Sequence, residues 1–276
     1  MTLVSIIIPY YNNEDTIAEA IISALEQTHE NIEVIVVDDG SDMPLTNILP
    51  DELTKLSNVK LLRQQNTGPS GARNFGAKHG NGEFLVFMDA DDRLASNYIS
   101  SCINVFTEKK NISLVYSEAS FFGNMVGKWE LPPYEFETFM YHNCIPIYAM
   151  IKRQHFFSVG MFDYNLTYLE DWDLWLRIIN RFGGVYRIPA VLYFYRRHAH
   201  NKSLTKQNDQ SNNSMYEKSQ LYIFHKNFEI YKNAGINIVD SIGNIQHYKD
   251  RYFHMRKKYY NIWYKKLFYR LKKRRP

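Results

Sequence analysis

Ile32-Glu-Val-Ile-Val-Val-Asp-Asp-Gly-Ser41 decides how this chain is read. Five of its first six residues are β-branched and apolar, the continuous pattern of a strand covered on both faces in a parallel sheet. The run stops on two carboxylates and a turn. Reading outward, Val4–Ile8 is a second short apolar run, and Val59–Leu62 and Phe84–Met88 are a third and a fourth. Between them Thr16–Gln27 carries Ile17, Ala20, Ile21, Ala24 and Leu25 at helical spacing, a helix is predicted from near Ser70, and Ser96–Glu108 repeats the pattern. Strand and helix alternating in this way predict a doubly wound, mostly parallel α/β sheet.

In an open α/β sheet, ligands bind beyond the carboxyl ends of the strands. Four polar landmarks fall at such ends or at helix starts: Asp38-Asp39-Gly-Ser41, Arg73 in Gly68-Pro-Ser-Gly-Ala-Arg-Asn74, Asp89-Ala-Asp91-Asp92, and Glu170-Asp171 before Leu174-Trp175. The first pair is either turn chemistry or a carboxylate that accepts the imide N–H of a uracil, with Tyr11 placed to stack on the base. Asp89, Asp91 and Asp92 repel one another unless a cation or solvent compensates. Mg²⁺-like ions share their oxygen ligands between carboxylates and phosphates, so a metal-bound diphosphate is the expectation here; a solvated helix cap is the plainer one. Arg73 enters a glycine-rich helix start, where backbone N–H groups and a guanidinium both favour phosphate.

Glu170, Asp171 and Asp173 complement a helix dipole. The chemical reading makes Asp171 the base that takes a proton from an attacking hydroxyl, with Glu170 orienting the acceptor and Trp172 offering a flat face to a sugar ring. His198, closing Tyr195-Arg-Arg-His198, is expected at the metal or pyrophosphate, with His200 as the alternative. Gly68, Gly71 and Gly76 are wrongly spaced for a dinucleotide fingerprint, and the chain has no P-loop lysine motif, nucleophile elbow or zinc-ligand cluster.

The order of these motifs resembles family 2 glycosyltransferases of the GT-A fold, the bacterial group that builds lipopolysaccharide, capsule and related glycans. The resemblance runs from about residue 3 to 200. It rests on Val4-Ser-Ile-Ile-Ile-Pro-Tyr-Tyr-Asn12, Val37-Asp-Asp-Gly-Ser41, Gly68-Pro-Ser-Gly-Ala-Arg-Asn74, Met88-Asp-Ala-Asp-Asp92, Glu170-Asp-Trp-Asp-Leu-Trp175 and Tyr195-Arg-Arg-His198. It implies an inverting, single-displacement transfer from a nucleotide sugar, a UDP-hexose or UDP-N-acetylhexosamine, to a hydroxyl of a glycan or lipid-diphosphate-linked saccharide. By the same resemblance Asp39 binds uracil beside Tyr11 and the Pro9 backbone, Arg73 faces the nucleotide phosphates and Asp89 holds the ribose. Asp91 coordinates Mn²⁺ or Mg²⁺ with Asp92 close by, Asp171 is the base, and His198 touches the diphosphate or metal. The Gln-x-x-Arg-Trp motif of the processive synthases is missing, so a single addition is expected. Two other readings stay open on the residues alone: a sugar nucleotidyltransferase and a catalytically silent glycan-binding protein.

Composition bounds the setting. With 276 residues, 45% hydrophobic and 22% charged, the chain has the make-up of a globular protein with a real core. The motifs occupy an expected domain over residues 1–205, and residues 206–276 read as a helical extension, with 202–219 a polar linker or loop. Two cysteines form no framework, no secretory signal is visible and no stretch is long enough to span a bilayer, so a cytoplasmic setting is expected. Residues 251–276 hold 11 Lys or Arg and no acid, whereas the first 250 carry 22 basic against 29 acidic side chains. Met255, Tyr259, Trp263, Leu267 and Leu271 recur every four residues there. A basic aromatic helix of this kind binds nucleic acid, packs on its own domain or lies on anionic lipid. The catalytic motifs give no reason for nucleic acid, and the expectation is peripheral contact with the inner leaflet of the cytoplasmic membrane.

Overall fold

The computed structural model describes residues 2–198 and 210–236, with the backbone alone for 210–214. In chain order the elements are β1 (Val4–Tyr10), α1 (Glu14–Leu25), β2 (Ile32–Asp38), α2 (Asp51–Thr54), β3 (Val59–Arg63), α3 (Gly68–His79), β4 (Phe84–Phe87) and β5 (Arg93–Leu94). There follow α4 (Tyr98–Glu108), β6 (Leu114–Gly123), β7 (Gly127–Trp129), α5 (Phe136–Phe139), β8 (Met150–Lys152), α6 (Arg153–Ser158), α7 (Glu170–Phe182), β9 (Val185–Arg197), α8 (Gln210–Lys226) and α9 (Phe228–Asn233). The chain divides into two compact units, Met1–Lys226 and Asn227–Pro276, with α8 in the first. His200 and residues 251–276, on which two of the expectations rest, lie outside the described residues.

The strands form one mixed sheet in the order β3-β2-β1-β4-β8-β6-β9-β5, with β7 hydrogen-bonded to β6. Its first half is parallel: Val4 faces Ile32 and Phe84, and Tyr10 faces Asp38. Asp38-Asp39, Tyr11 and Asp89 therefore emerge on one rim. All seven residues of β2 are buried. Glu33 is tolerated there because its carboxylate accepts from Ser5 Oγ at 2.7 Å and the Gly82 N–H at 3.1 Å and pairs with Lys60 at 2.7 Å. The second half of the sheet is antiparallel at β4–β8 and β6–β8 and parallel at β6–β9.

Three stretches differ from what the sequence predicts. Phe121–Asn143, whose Gly123, Gly127, Pro132 and Pro133 predict an irregular loop with short helical pieces, begins with the end of β6 and its hairpin to β7; Gly123 and Gly127 occupy positive φ at the turn (84° and 144°) and do not end the sheet. The apolar run Val191–Tyr195 predicts a short final strand, but β9 is longer, because Pro189 sits at a register shift where its missing N–H leaves no gap in the ladder. Residues 210–219, read within the polar linker, begin α8.

Helix α3 lies close against the parallel strands. A Cβ on Gly76 would stand 2.6 Å from Ile7 Cγ2 and 3.0 Å from Val37 Cγ2. Gly76→Ala should therefore destabilise the protein by about 1–2 kcal/mol in urea unfolding, the overpacking outweighing the helical preference for alanine. A stabilised variant would show that α3 can retreat freely.

Candidate active site

The two carboxylates after β2 have separate tasks. Asp38 Oδ1 accepts the Ser41 N–H at 2.8 Å and Oδ2 pairs with Arg63 at 2.7 Å, so this side chain closes the turn. Asp39 is also buried, but Thr67 N–H (2.9 Å) and Gln64 Nε2 (2.7 Å) both converge on Oδ1. Among the described residues no donor meets its Oδ2. Asp39 is thus the member of the pair with acceptor capacity left for a ligand. Pro9 lies in the β1 ladder opposite Val37, and Tyr11, just beyond, is 53% exposed. Gln64 and Thr67, which aim Asp39, have no signature in the sequence.

The acidic turn after β4 is held by the end of β9. Asp92 is 1% exposed, with Oδ2 accepting the Tyr193 hydroxyl at 2.6 Å and Oδ1 the Arg196 N–H at 2.8 Å. Burial, then Asp91 and Asp89, push its carboxyl well above the usual range. The expectation that Asp92 helps to coordinate a metal needs correcting: both of its oxygens are engaged within the protein, and it fixes the turn to β9. Arg196 also donates from Nε to the Asp91 carbonyl at 2.7 Å and pairs with Glu19. Glu19 binds Arg93 as well, at 2.9 Å, and the two guanidiniums each lie 4.3 Å from the Phe122 ring. Neither Arg196 nor Glu19 was singled out from the sequence.

Asp91 Oδ2 and His198 Nε2 stand 2.7 Å apart, so the last residue of the motif reaches the turn. Burial and the neighbouring Asp89 raise the Asp91 carboxyl. A half-exposed carboxylate beside an imidazole, under repulsion from a second carboxylate, is a donor set that suits Mn²⁺ or Mg²⁺ sharing its remaining positions with phosphate and water. Among the described residues no three His, Cys, Asp or Glu side chains are grouped so as to hold a metal ion by themselves.

Arg73 is 4% exposed and bridges two acids, Asp89 Oδ1 and Glu170 Oε1, each at 2.8 Å. Both raise its already high pKa against the effect of burial. The expected phosphate contact is therefore not the arrangement found: two arms of the guanidinium are engaged, and Nε is buried without a partner. Glu170 in turn faces Arg73.

Helix α7 starts from Leu169, a non-glycine residue at φ 62°. Asp171 Oδ1 accepts the Trp172 N–H at 2.8 Å and Oδ2 the Asn143 amide at 2.9 Å. Burial, and then the Glu170 charge, push its carboxyl up to about 7, a value suited to a general base near neutral pH. Trp172 corrects another expectation. It is wholly buried, its indole N–H bonds the Phe139 carbonyl at 2.8 Å, and its ring meets Phe224 edge-on at 6.2 Å, so it offers no face to an acceptor.

A family model described as glycosyl transferase family 2 matches residues 5–162. The UDP-Glc:alpha-D-GlcNAc-diphosphoundecaprenol beta-1,3-glucosyltransferase WfaP of Escherichia coli is 32% identical over 213 residues, 75% of this chain and 82% of that protein. WfgD of the same species, named for the same activity, is 35% identical over 182 residues, 64% of this chain and 70% of its own. Other relatives are longer: this chain spans 64% of an uncharacterised glycosyltransferase of Rickettsia typhi at 31% identity, the match covering 71% of this chain, and 32% of one from Rickettsia bellii. Among solved structures, the mannosyltransferase PcManGT of Pyrobaculum calidifontis, in complex with GDP-Man and Mn²⁺, superposes with a TM-score of 0.63 at 16% identity (88% of this chain, 70% of that one). Staphylococcus aureus TarS 1-349 in complex with UDP-GlcNAc gives 0.62 at 15% identity, covering 88% and 80%. These two share the GT-A fold with this chain.

The raised Asp171 carboxyl carries a stability signature. Protonated, it costs the fold little. Once pH passes the ordinary carboxylate range, ionisation favours the unfolded chain until the folded group also titrates, near 7. Asp171→Asn should match the wild type in melting temperature near pH 4 and exceed it at pH 8, by up to about 4 kcal/mol in unfolding free energy. Equal melting curves at pH 8 would remove the raised pKa.

Proposed function

The chain belongs to glycosyl transferase family 2, and from that premise we propose that it transfers a single hexosyl residue, with inversion, from UDP-glucose or a related UDP-sugar to a hydroxyl of N-acetylglucosamine borne on a lipid diphosphate. The observation that supports this reading best is the unbroken connection from Asp89 through Arg73 to Glu170, adjacent in sequence to Asp171. It joins the turn suited to a sugar diphosphate to a carboxylate suited to proton removal. The activities for which the two Escherichia coli relatives are named suggest the substrate class.

In this reading Asp39 Oδ2 accepts the uracil imide N–H, Tyr11 covers the base and Asp89 faces the ribose. Asp91 and His198 would hold Mn²⁺ or Mg²⁺, which when bound would neutralise charge on the diphosphate leaving group. The acceptor hydroxyl oxygen forms a bond to the anomeric carbon as the bond from that carbon to the diphosphate oxygen breaks. Asp171 receives the hydroxyl proton, and UDP departs with the bonding pair. Glu170, held by Arg73, keeps Asp171 in place and above the ordinary carboxylate range. Donor α-configuration gives a β-linked product.

The direct test measures UDP release and product anomer with a panel of UDP-sugars and a synthetic N-acetylglucosaminyl diphosphate lipid. Asp171→Asn should lower kcat by at least about 10³-fold while the donor KM moves little. An α-linked product would refute the inversion, and near-normal turnover by Asp171→Asn would refute the base. Production of pyrophosphate from UTP and a sugar 1-phosphate would replace the whole reading with nucleotidyl transfer.

The basic aromatic segment 251–276 extends the proposal to the setting: contact with anionic lipid on the cytoplasmic face of the membrane. A version ending at Asp250 should lose co-sedimentation with anionic vesicles, and high salt should release the full chain. Equal binding by both versions would sink this anchor.

A further inference from the structure

We propose that the sheet face carrying Phe121, Trp129, Tyr195 and Arg197, continued by the hairpin tip Met125-Val126, is the shelf that binds the acceptor: rings for its sugar, a cation for its diphosphate, an apolar tip for its lipid. This rests on the reaction read above and deepens it by giving each chemical part of the acceptor a named partner.

Strand alternation puts Tyr193, Tyr195 and Arg197 on one face of β9. In register they oppose Ala119, Phe121 and Gly123 of β6, and Ala119 and Phe121 oppose Trp129 and Gly127 of β7. The small residues let the large ones lean together. Phe121 and Trp129 stack at 5.6 Å with 23° between their planes, and Trp129 and Tyr195 meet at 5.0 Å. These three rings are half-buried, unlike Trp172, which is closed off in the core. The apolar C–H face of a pyranose packs on such a surface, with hydroxyls left free at the ring edge.

Arg197 adds charge to the shelf. Its guanidinium carbon lies 5.1 Å from the Phe121 centroid and 5.7 Å from that of Tyr195. Its basic neighbours are paired: Arg93 and Arg196 with Glu19, Arg187 and Lys128 with Glu118. Among the described residues no carboxylate pairs with Arg197, and its Nε is buried without an acceptor. An unpaired guanidinium held over aromatic rings is complementary to a diphosphate. It precedes His198, which reaches Asp91, while Tyr193 on the same face bonds Asp92 and stacks on Tyr148 at 3.7 Å. The shelf is therefore continuous with the residues that fix the acidic turn. At its far end the hairpin exposes Met125 (42%) and Val126 (82%), side chains suited to a lipid surface from which such an acceptor is presented.

The test uses the full chain, UDP-glucose and three acceptors: N-acetylglucosaminyl diphosphate polyprenol in vesicles, the same head group on a short soluble alkyl chain, and methyl N-acetylglucosaminide. Arg197→Gln should raise KM about tenfold for both diphosphates and leave the methyl glycoside unchanged. Trp129→Ala should raise KM for all three, and Val126→Asp only for the vesicle-borne acceptor. Should Trp129→Ala fail to fold, Trp129→Leu and Arg197→Gln decide. The shelf is overturned if Arg197→Gln and the folded Trp129 variant keep acceptor KM values near wild type, or if donor KM rises in step. A wild type that turns over no UDP-sugar would instead overturn the reaction reading on which the shelf depends.

Discussion

A buried guanidinium must be paired, and the pairing of Arg73 organises this molecule. Its partners Asp89 and Glu170 lie 16 and 97 residues further along the chain. One follows the strand that presents the acidic turn; the other opens the helix that presents Asp171, the proposed base. Truncating either partner would strand a charge in a site with little water, a far larger cost than the loss of a surface pair. The two halves of the site are accordingly set by one rigid planar fork, whose donors fix angle as well as distance. Loop packing follows the same line: Asn74, the next residue on α3, exchanges two hydrogen bonds with Phe162, at 2.9 and 3.0 Å, on the segment leading to Glu170.

The parallel half of the fold was legible because its strands leave short apolar runs, and β2 and β4 end where carboxylates begin. Which carboxylate did what was not legible. Asp38 and Asp39 are adjacent and chemically identical; only the arrival of Arg63 and Ser41 at one, and of Thr67 and Gln64 at the other, separates them. The same holds for Asp91 and Asp92, distinguished by Tyr193 and Arg196 from a strand a hundred residues away. Hydrogen-bond partners at that separation leave no local pattern. The hairpin β6–β7 was missed because its glycines read as loop, and the length of β9 because the register shift within it leaves no pattern in the sequence.

Trp172 is a different kind of miss, since the signal was present. Trp172, Trp175, Leu176 and Ile179 fall at i, i+3, i+4 and i+7, the stripe that a helix turns toward its core. All four are buried. Reading the aromatic residue for its proximity to Asp171, the proposed base, and not for its place in the period, assigned it to the wrong face. Asp171 and Trp172 are neighbours in sequence but about 100° apart around the helix, so nearness in sequence does not put them on one face.

The first turn of α7 shows how chemistry is assigned to one acid among three. Glu170, Asp171 and Asp173 all gain from the helix dipole, so the dipole cannot choose between them. Their partners do. Glu170 is taken by Arg73. Asp173, fully buried, is taken from behind by Arg177 at 2.6 Å and by Lys226 of α8 at 2.9 Å, and Lys226 also holds Asp163 at 2.7 Å. Among the described residues Asp171 receives only the neutral donors of Asn143 and its own neighbour's backbone. Two of the three are neutralised by cations in direct contact, and the third is left beside a negative charge in a poorly solvated place. Burial, and then the Glu170 charge, raise the Asp171 carboxyl, and among the described residues it is the one acid of the turn held in no ion pair. Lys226, from α8, thereby takes part in dividing the three acids between ion pairing and the proposed proton removal.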